Sequence, residues 1–233
     1  MKYFKRILVL FVIVFITSCS PITYYQVYKI STDNKLKSGE NFLIYNDENI
    51  SLFYNFWSEG GTSGFKLYNK SENDIYLIID ETFFILNNHA VDYFKGTNDN
   101  ENFLQNALIC IPSKTYKYFD EFKINEILIR NCELLQFPSV RDDVITSKYS
   151  ISDSPIRFSN RITYQLGKGG SIFKFENSFY VSEITNYPEY KMFKYEYNEF
   201  CGEKEAIKTK IYKYASFDKF YIKYVKGYNR LKH

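Results

Sequence analysis

Residues 49–94 of the chain are NISLFYNFWSEGGTSGFKLYNKSENDIYLIIDETFFILNNHAVDYF, and their pattern indicates the class of fold. In the first part of this stretch, apolar side chains recur at the period of two that is typical of a β-strand. They are Ile50, Leu52, Tyr54 and Phe56. Further apolar runs follow, separated at short intervals by glycine, asparagine and other turn residues. Short strands at this spacing predict a β-sandwich or a β-barrel.

The connections between these runs contain the residues that tight turns require. A glycine cluster at residues 60–64 lets the chain turn with little steric cost. Residues 87–89 are Asn-Asn-His and predict a hairpin, because asparagine tolerates positive φ. Beyond this stretch, residues 112–114 and the glycine-rich residues 167–170 predict two more hairpins. We therefore predict an all-β protein built as an antiparallel β-sandwich.

The start of the chain has the organisation of an export signal. Lys2, Lys5 and Arg6 are followed by an unbroken apolar run at residues 7–16. As a helix this run would span about 15 Å, roughly half of a bilayer core, so it is typical of a signal peptide rather than a transmembrane anchor. We predict that the signal peptide occupies residues 1–18.

A lipid-attachment motif follows the apolar run. Ile16-Thr17-Ser18-Cys19 is similar to the lipobox of bacterial lipoproteins, in which the cysteine receives diacylglycerol. The expected product is anchored in the membrane by a lipid on Cys19, with one β-sandwich domain at residues 19–233. The alternative is an ordinary secretory signal followed by an unrelated cysteine.

The net charge of the processed chain argues against a nucleic-acid partner. The formal charge of +3 comes from 30 basic and 27 acidic residues, and three of the basic residues leave with the signal peptide. The remaining chain is neutral, so no global attraction to nucleic acid or to an anionic surface follows. An exported protein also has little access to nucleic acid.

The C-terminal segment, residues 187–233, differs from the rest of the chain in composition. It holds 13 of the aromatic residues and 11 Lys or Arg against 6 Asp or Glu. Lysine and aromatic residues interleave at residues 208–214 and 219–224. One interpretation is edge strands whose lysines prevent edge-to-edge association. The other is a surface that binds anionic lipid head groups, lipopolysaccharide or acidic glycan.

The sequence contains no recognisable catalytic or metal-binding motif. Its two histidines are His89, in a predicted turn, and His233, and no pair is spaced for zinc. We therefore predict no enzyme activity, no metal and no cofactor. The chain would instead bind or scaffold another envelope component. The alternative is a carbohydrate-active or glycan-binding protein whose carboxylates and aromatic rings are brought into a cleft by folding.

Trp57 and Glu59 form the candidate ligand surface. Trp57 is the only tryptophan of the chain, and Glu59 follows it at the start of the glycine turn. An exposed indole could stack on a sugar ring while the carboxylate accepts hydroxyl groups. The alternative is that Trp57, in an alternating strand, belongs to the core.

The remaining cysteines are odd in number once Cys19 carries a lipid. Cys110 lies in an apolar run, where a free cysteine is expected to be a small buried side chain. Cys132 and Cys201 lie in sequence neighbourhoods typical of bends. If a disulfide forms, we expect it to join Cys132 to Cys201; the alternative is three free thiols.

The chain carries a set of motifs at residues 56–61, 64–65, 69–71, 83–87, 92–94, 109–112, 154–155, 158–162 and 179–188. These motifs cover nearly the whole processed chain and resemble those of a set of uncharacterised Bacteroidetes-type lipoproteins. The resemblance implies an immunoglobulin-like β-sandwich and carries over no established activity. The different composition of residues 187–233 adds the expectation of an elaborated C-terminal segment. In this group, proteins at the cell surface usually carry acidic residues soon after the lipid cysteine, and residues 20–24 have none. The expected location is therefore the outer membrane, facing the periplasm.

Overall fold

A computed structural model of the protein describes residues 22–32, 36–93, 108–119, 123–124, 143–199 and 206–226. The structure is built from β-strands, with a 3₁₀ turn at Ile79–Glu81 and a four-residue helix, α1, at Glu189–Met192. The first eight strands are Ile22–Thr32 (β1), Lys37–Ser38 (β2), Leu43–Asn46 (β3), Ile50–Tyr54 (β4), Phe65–Asn69 (β5), Ile75–Ile78 (β6), Phe83–Leu86 (β7) and His89–Asp92 (β8). The others are Leu108–Ile111 (β9), Tyr116–Phe119 (β10), Ile145–Lys148 (β11), Arg157–Leu166 (β12), Ile172–Pro188 (β13), Phe193–Asn198 (β14), Ile207–Tyr212 (β15) and Lys219–Lys226 (β16).

The described strands form two large antiparallel sheets and one small one. The larger sheet has the order β16-β1-β13-β12-β6-β9, and β7, β8 and β11 pair beside this path. The second sheet has the order β10-β5-β4-β3-β2, and β14 and β15 form a separate two-stranded ribbon. Strand β13 organises the larger sheet, because β1 pairs along one of its edges while β12 and β11 share the other.

The interior lies between the two large sheets and is rich in aromatic residues. Alternate residues of β4 and β5 point into it, and Ile50, Leu52 and Leu67 are completely buried there. From the larger sheet, Phe158 and Phe179 stack with their ring centroids 5.1 Å apart. The period-two pattern of residues 50–56 therefore marks the buried face of a sheet, as predicted, and the all-β fold is confirmed.

Buried phenols in this interior have polar partners. The Asn177 Nδ2 donates to the Tyr54 hydroxyl at 2.8 Å, and the Tyr93 hydroxyl donates to Asn160 Oδ1 at 2.5 Å. The hydroxyl of Tyr164 reaches Asp47 Oδ2 at 3.0 Å. Because an unpaired buried polar group is costly, these contacts allow large tyrosines to fill the interior.

Two of the predicted hairpins are confirmed by the strand register. Strands β12 and β13 pair from Arg157 opposite Tyr180 to Gln165 opposite Ile172, so residues 167–170 form the turn. Strands β7 and β8 are joined by Asn87 and Asn88 alone, since Leu86 lies opposite His89. Both asparagines have positive φ, as two-residue hairpin turns of type I′ require.

The prediction of a hairpin at residues 112–114 is wrong. Strand β9 pairs with β6 in the larger sheet, whereas β10 pairs with β5 in the second sheet. The chain therefore crosses between the sheets at this point. The buried side chain of Asn69 supports the crossing, because its Nδ2 donates to the carbonyl oxygens of Ile111 and Asn73. Turn residues are compatible both with a crossing between two sheets and with a hairpin within one sheet, so the local sequence does not distinguish these two structures.

The expectation that Cys110 is buried is also wrong. Cys110 is an exposed free cysteine on β9, an end strand of the larger sheet. Along this strand Ile111 is fully buried while Leu108 and Cys110 face outward. Only one face of this end strand is packed against the interior, and Cys110 lies on the opposite, exposed face. The immunoglobulin-like topology and the domain bounds stay predictions.

Candidate binding surface

Trp57 lies where the chain leaves β4 and passes to the outer side of the larger sheet. Phe56 is completely buried between the sheets, whereas the indole of Trp57 is half-buried. The Phe56 amide donates to the Phe217 carbonyl at 2.9 Å, and the Trp57 amide donates to Asn55 Oδ1 at 3.0 Å. The side chains of Phe56 and Trp57 therefore lie on opposite sides of the larger sheet, as expected for adjacent residues of an extended segment.

The glycine turn after Trp57 fixes the segment against β16. The Gly60 amide donates to the Tyr221 carbonyl at 2.8 Å, and the Tyr221 amide donates to the Ser58 carbonyl at 3.2 Å. Gly61 has a φ of +71°, and a Cβ added there would lie 2.8 Å from Phe220 Cγ. A side chain at residue 61 would therefore force the segment away from β16. Glu59, within the same turn, is exposed.

Aromatic rings from three parts of the chain surround the indole. The Trp57 ring centroid lies 5.5 Å from that of Tyr212 and 5.1 Å from that of Tyr221. The ring of Tyr25, on β1, contacts Tyr221 and also meets Phe193 edge to face at 5.3 Å. We call these five residues, Trp57, Tyr25, Phe193, Tyr212 and Tyr221, the Trp57 cluster.

Two phenols of the Trp57 cluster, those of Tyr25 and Tyr221, are held in the neutral form. Burial, followed by the negative charge of Glu189, raises the pKa of Tyr25 to about 12. Burial and the hydrogen bond with Tyr212 raise the pKa of Tyr221 as well. The Tyr212 and Tyr221 hydroxyl oxygens are 2.8 Å apart. The cluster can therefore offer an aromatic surface and neutral hydroxyl groups to a ligand, with the Glu59 carboxylate nearby.

The two-stranded ribbon of β14 and β15, called the C-terminal ribbon below, extends from the Trp57 cluster. Phe193 lies opposite Tyr212 at the base of the ribbon, where both rings pack on Tyr25. Further along, Tyr195 and Tyr197 are exposed. The ribbon thus continues the aromatic surface of the cluster into solvent.

A second surface lies on the larger sheet, in a concave region that we call the groove. Its volume is about 410 Å³, and its lining residues are Glu81, Phe83, Arg161, Thr163, Lys174, Phe175 and Glu176. Both carboxylates are paired with cations. Lys174 Nζ is 2.6 Å from Glu81 Oε2, and Arg161 is 2.9 Å from Glu176 Oε2.

The electrostatics of the groove favour an ionised Glu176. Partial burial alone would raise the pKa of this carboxyl group. Hydrogen bonds from Ser159 Oγ and from Arg161, together with the charge of Arg161, outweigh burial and lower the pKa below its ordinary value. A general acid for glycoside cleavage needs the opposite shift, toward a protonated carboxyl group.

The structure brings together two features that the sequence suggested separately. Trp57 and Glu59 are the predicted ligand surface, and Tyr212 and Tyr221 belong to the lysine-aromatic segments near the C terminus. Their contact depends on the pairing of β16 with β1, which sequence pattern does not reveal. Tyr25 and the groove were not predicted; the alternation of charged residues on β12 and β13 was the available signal. The predicted lipid site Cys19 and the predicted disulfide partners Cys132 and Cys201 lie outside the described residues.

Neither a cluster of metal ligands nor a membrane-spanning helix occurs in the part of the chain that the structure describes. Within those ranges, no three or more His, Cys, Asp or Glu side chains are grouped so that they could hold a metal ion. None of the helical segments there has the length and apolar character needed to cross a membrane. The chain matches no protein-family model, and no curated protein or solved structure is significantly similar to it.

Proposed function

We propose that the chain is a lipid-anchored lipoprotein of the bacterial cell envelope that binds or scaffolds another envelope component without catalysing a reaction. The lipobox at residues 16–19 supports the anchor. Strand β1 begins only three residues after Cys19, so the tether between the lipid and the folded domain is short. The anchor would hold the folded domain close to the outer membrane, on its periplasmic side.

The observation that carries the binding role is the placement of Trp57. A large indole that served the core alone would be enclosed between the sheets, as Phe56 is. Trp57 instead lies on the outer side of the larger sheet, where its half-buried ring packs against the rings of Tyr212 and Tyr221. Aromatic side chains that are well supported yet reachable supply much of the binding energy in protein interfaces.

The surroundings of Trp57 suit recognition rather than acid–base chemistry. The Tyr212–Tyr221 hydroxyl pair and the exposed Glu59 can orient a polar ligand above the indole. The glycine turn is fixed to β16 by two backbone hydrogen bonds, so the surface is organised before a ligand arrives. Preorganisation of this kind reduces the entropic cost of binding.

The groove favours a second candidate function, the binding of a glycan. It combines two carboxylates with the rings of Phe83 and Phe175 in one concave region. The lowered pKa of Glu176 supports binding over hydrolysis, because this carboxyl group would remain ionised. Hydrolysis of an envelope glycan that is lost in Glu176→Gln would instead establish the carbohydrate-active alternative.

Site-specific photo-crosslinking in intact envelopes tests the two surfaces against each other. A photoreactive residue at position 59 reports on the Trp57 cluster, and one at position 81 reports on the groove. We expect a defined adduct from position 59 that disappears when Trp57→Ala is added. An adduct from position 81 alone would favour the groove, and the absence of adducts at both positions would contradict a binding role for either surface.

The lipid anchor has its own test. Radiolabelled palmitate should be incorporated into the protein, and Cys19→Ala should abolish incorporation. The same variant should release the protein from the membrane fraction. Incorporation that persists in Cys19→Ala would place the lipid elsewhere and contradict the proposed anchor.

A further inference from the structure

We infer that one face of the C-terminal ribbon is a second membrane contact, which lies on the anionic head groups of the bilayer that holds the N-terminal lipid. The inference rests on the proposed lipid anchor at Cys19. It assigns to the ribbon a non-covalent role that the anchor alone does not provide, namely fixing the orientation of the sandwich on the membrane.

The strand register separates the residues of the ribbon into two unlike faces. On one face, Tyr195 lies opposite Lys210 and Tyr197 lies opposite Lys208. We call these four residues the tyrosine–lysine face. The opposite face carries Lys194 and Glu196, whose side chains form an ion pair at 2.7 Å and so offset each other's charge. The positive charge of the ribbon is thus concentrated on the tyrosine–lysine face.

The tyrosine–lysine face is open to solvent. Tyr195 and Tyr197 are 56% and 68% exposed, so most of each side chain is open to solvent. Lys208 Nζ lies 4.3 Å from the ring centroid of Tyr195, and Lys210 Nζ lies 3.8 Å from that of Phe193. Lys210 Nζ also lies 3.8 Å from a carboxylate oxygen of Glu189, which precedes the base of the ribbon. Glu189 therefore offsets part of the charge of Lys210, and the face presents tyrosine rings and ammonium groups side by side.

This combination matches the chemistry of a bilayer surface. Tyrosine is enriched at membrane interfaces, because its ring suits the apolar boundary while its hydroxyl remains among the head groups. Lysines close to an anionic leaflet each strengthen the contact by roughly fivefold. A face with two rings and two lysines is suited to a contact that is weak alone and effective once the protein is already tethered.

The strand order places the ribbon at the anchored end of the molecule. Tyr24 on β1 lies opposite Pro188, the last residue of β13, and α1 connects that residue directly to β14. Cys19 precedes β1 by three residues, which reach at most about 11 Å. A lipid on Cys19 would therefore bring the base of the ribbon close to the bilayer. The groove, by contrast, lies about 40 Å away along β13.

Amide hydrogen exchange of the lipid-modified protein in vesicles tests the inference. The protein is reconstituted into phosphatidylcholine vesicles with or without phosphatidylglycerol. Exchange at residues 193–198 and 207–212 is compared with that of β12, at the far end of the sheet. We expect phosphatidylglycerol to slow exchange in the ribbon several-fold and to leave β12 unchanged. High salt should reverse the effect, because at about 1 M it screens charges beyond roughly 3 Å.

Two matched substitutions test whether the protection depends on the tyrosine–lysine face or on the total charge of the ribbon. Lys208→Gln should reduce the protection by about fivefold, the contribution of one lysine at an anionic surface. Lys194→Gln removes the same charge from the other face of the same ribbon and should leave the protection unchanged. Equal exchange on the two kinds of vesicle, or equal effects of the two substitutions, would overturn the inference.

Flotation of the same samples distinguishes this inference from the proposed anchor. A covalent lipid keeps the protein on phosphatidylcholine vesicles in high salt, whatever the ribbon does. If the protein does not float with phosphatidylcholine vesicles in high salt, the proposed lipid anchor is wrong. The ribbon is then scored by flotation of the same protein on phosphatidylglycerol vesicles in low salt, where Lys208→Gln should weaken binding and Lys194→Gln should not.

Discussion

Phe56 and Trp57 are neighbours in the chain, yet they belong to two aromatic regions with different consequences. Phe56 is sealed between the large sheets, where its ring meets that of Phe158 at 5.5 Å and that of Phe179 at 5.1 Å. Trp57 lies on the outer side of the larger sheet and stays half-buried among Tyr212 and Tyr221.

Aromatic content alone therefore does not identify a core. Both regions contain rings in close contact, and Tyr25 and Tyr221 of the Trp57 cluster are themselves buried. Complete burial like that of Phe56 makes the interior the main source of stability. The indole of Trp57 keeps part of its surface available, so Trp57 should affect binding more than folding.

Alkaline pH should have the largest effect and should destabilise both regions. Burial raises the pKa of Tyr25 to about 12, and it also raises the pKa of Tyr28, Tyr54 and Tyr221. Between about pH 10 and 12 the unfolded chain loses these protons while the folded chain retains them. The contribution of these tyrosines to the free energy of unfolding should therefore be constant below pH 10 and fall above it. Chemical unfolding at several pH values, with tyrosine ionisation followed by absorbance, measures this. A constant free energy up to pH 12 would contradict it.

Phe56→Ala should be among the most destabilising single substitutions in the two aromatic regions. Truncation of a fully buried phenylalanine typically costs about 3–5 kcal/mol, because contacts are lost and a cavity remains. Urea unfolding measures the change. Phe53→Ala is the matched control, since Phe53 is half-buried on the outward face of β4, three residues before Phe56. Equal losses from the two substitutions would show that the sealed interior is not what distinguishes Phe56.

Tyr54→Phe tests whether polar partners stabilise the aromatic interior. The substitution leaves Asn177 Nδ2 buried without its 2.8 Å acceptor, and the expected loss is about 1–3 kcal/mol. Adding Asn177→Leu removes the stranded group, so the double variant should be more stable than the sum of the single effects implies. A double-mutant cycle from urea unfolding gives the coupling. A coupling near zero would contradict this account.

Trp57→Ala should have a smaller effect on stability than Phe56→Ala and the largest effect on binding. The half-buried indole loses ring contacts with Tyr212 and Tyr221, each worth about 1 kcal/mol beyond the area that it buries. Urea unfolding monitored by circular dichroism measures this loss, and the crosslink from position 59 measures binding. Tyr212→Phe is a useful control, because it retains the ring and removes only the hydroxyl bond to Tyr221. A loss as large as that of Phe56→Ala would assign the indole to the core.

Much of the strand content could be predicted from local pattern. The alternation in residues 50–56, the β-branched run that became β6 and the glycine turn before β13 each follow from short-range rules. The hairpin at Asn87 and Asn88 follows as well, since asparagine tolerates the positive φ that the turn requires.

The two wrong predictions, a hairpin at residues 112–114 and a buried Cys110, concern strands whose pairing partners lie far away in the sequence. The residues on each side of Pro112 have the pattern of hairpin strands, but β9 finds β6 and β10 finds β5. Cys110 lies in an apolar run, but the run became an end strand with one exposed face. In both cases the burial of a side chain depends on strands that lie far away in the sequence.

Local sequence is enough to establish that the chain folds mainly into antiparallel strands, because strand periodicity and turn chemistry are short-range properties. It also singles out Trp57 and Glu59 as a pair. The contacts of Trp57 with Tyr212 and Tyr221, and theirs with Tyr25, are set by the tertiary structure, because they require β16 to pair with β1 and the C-terminal ribbon to pack upon them. Pairing between distant strands follows from the combined burial of many side chains, and no local pattern encodes it.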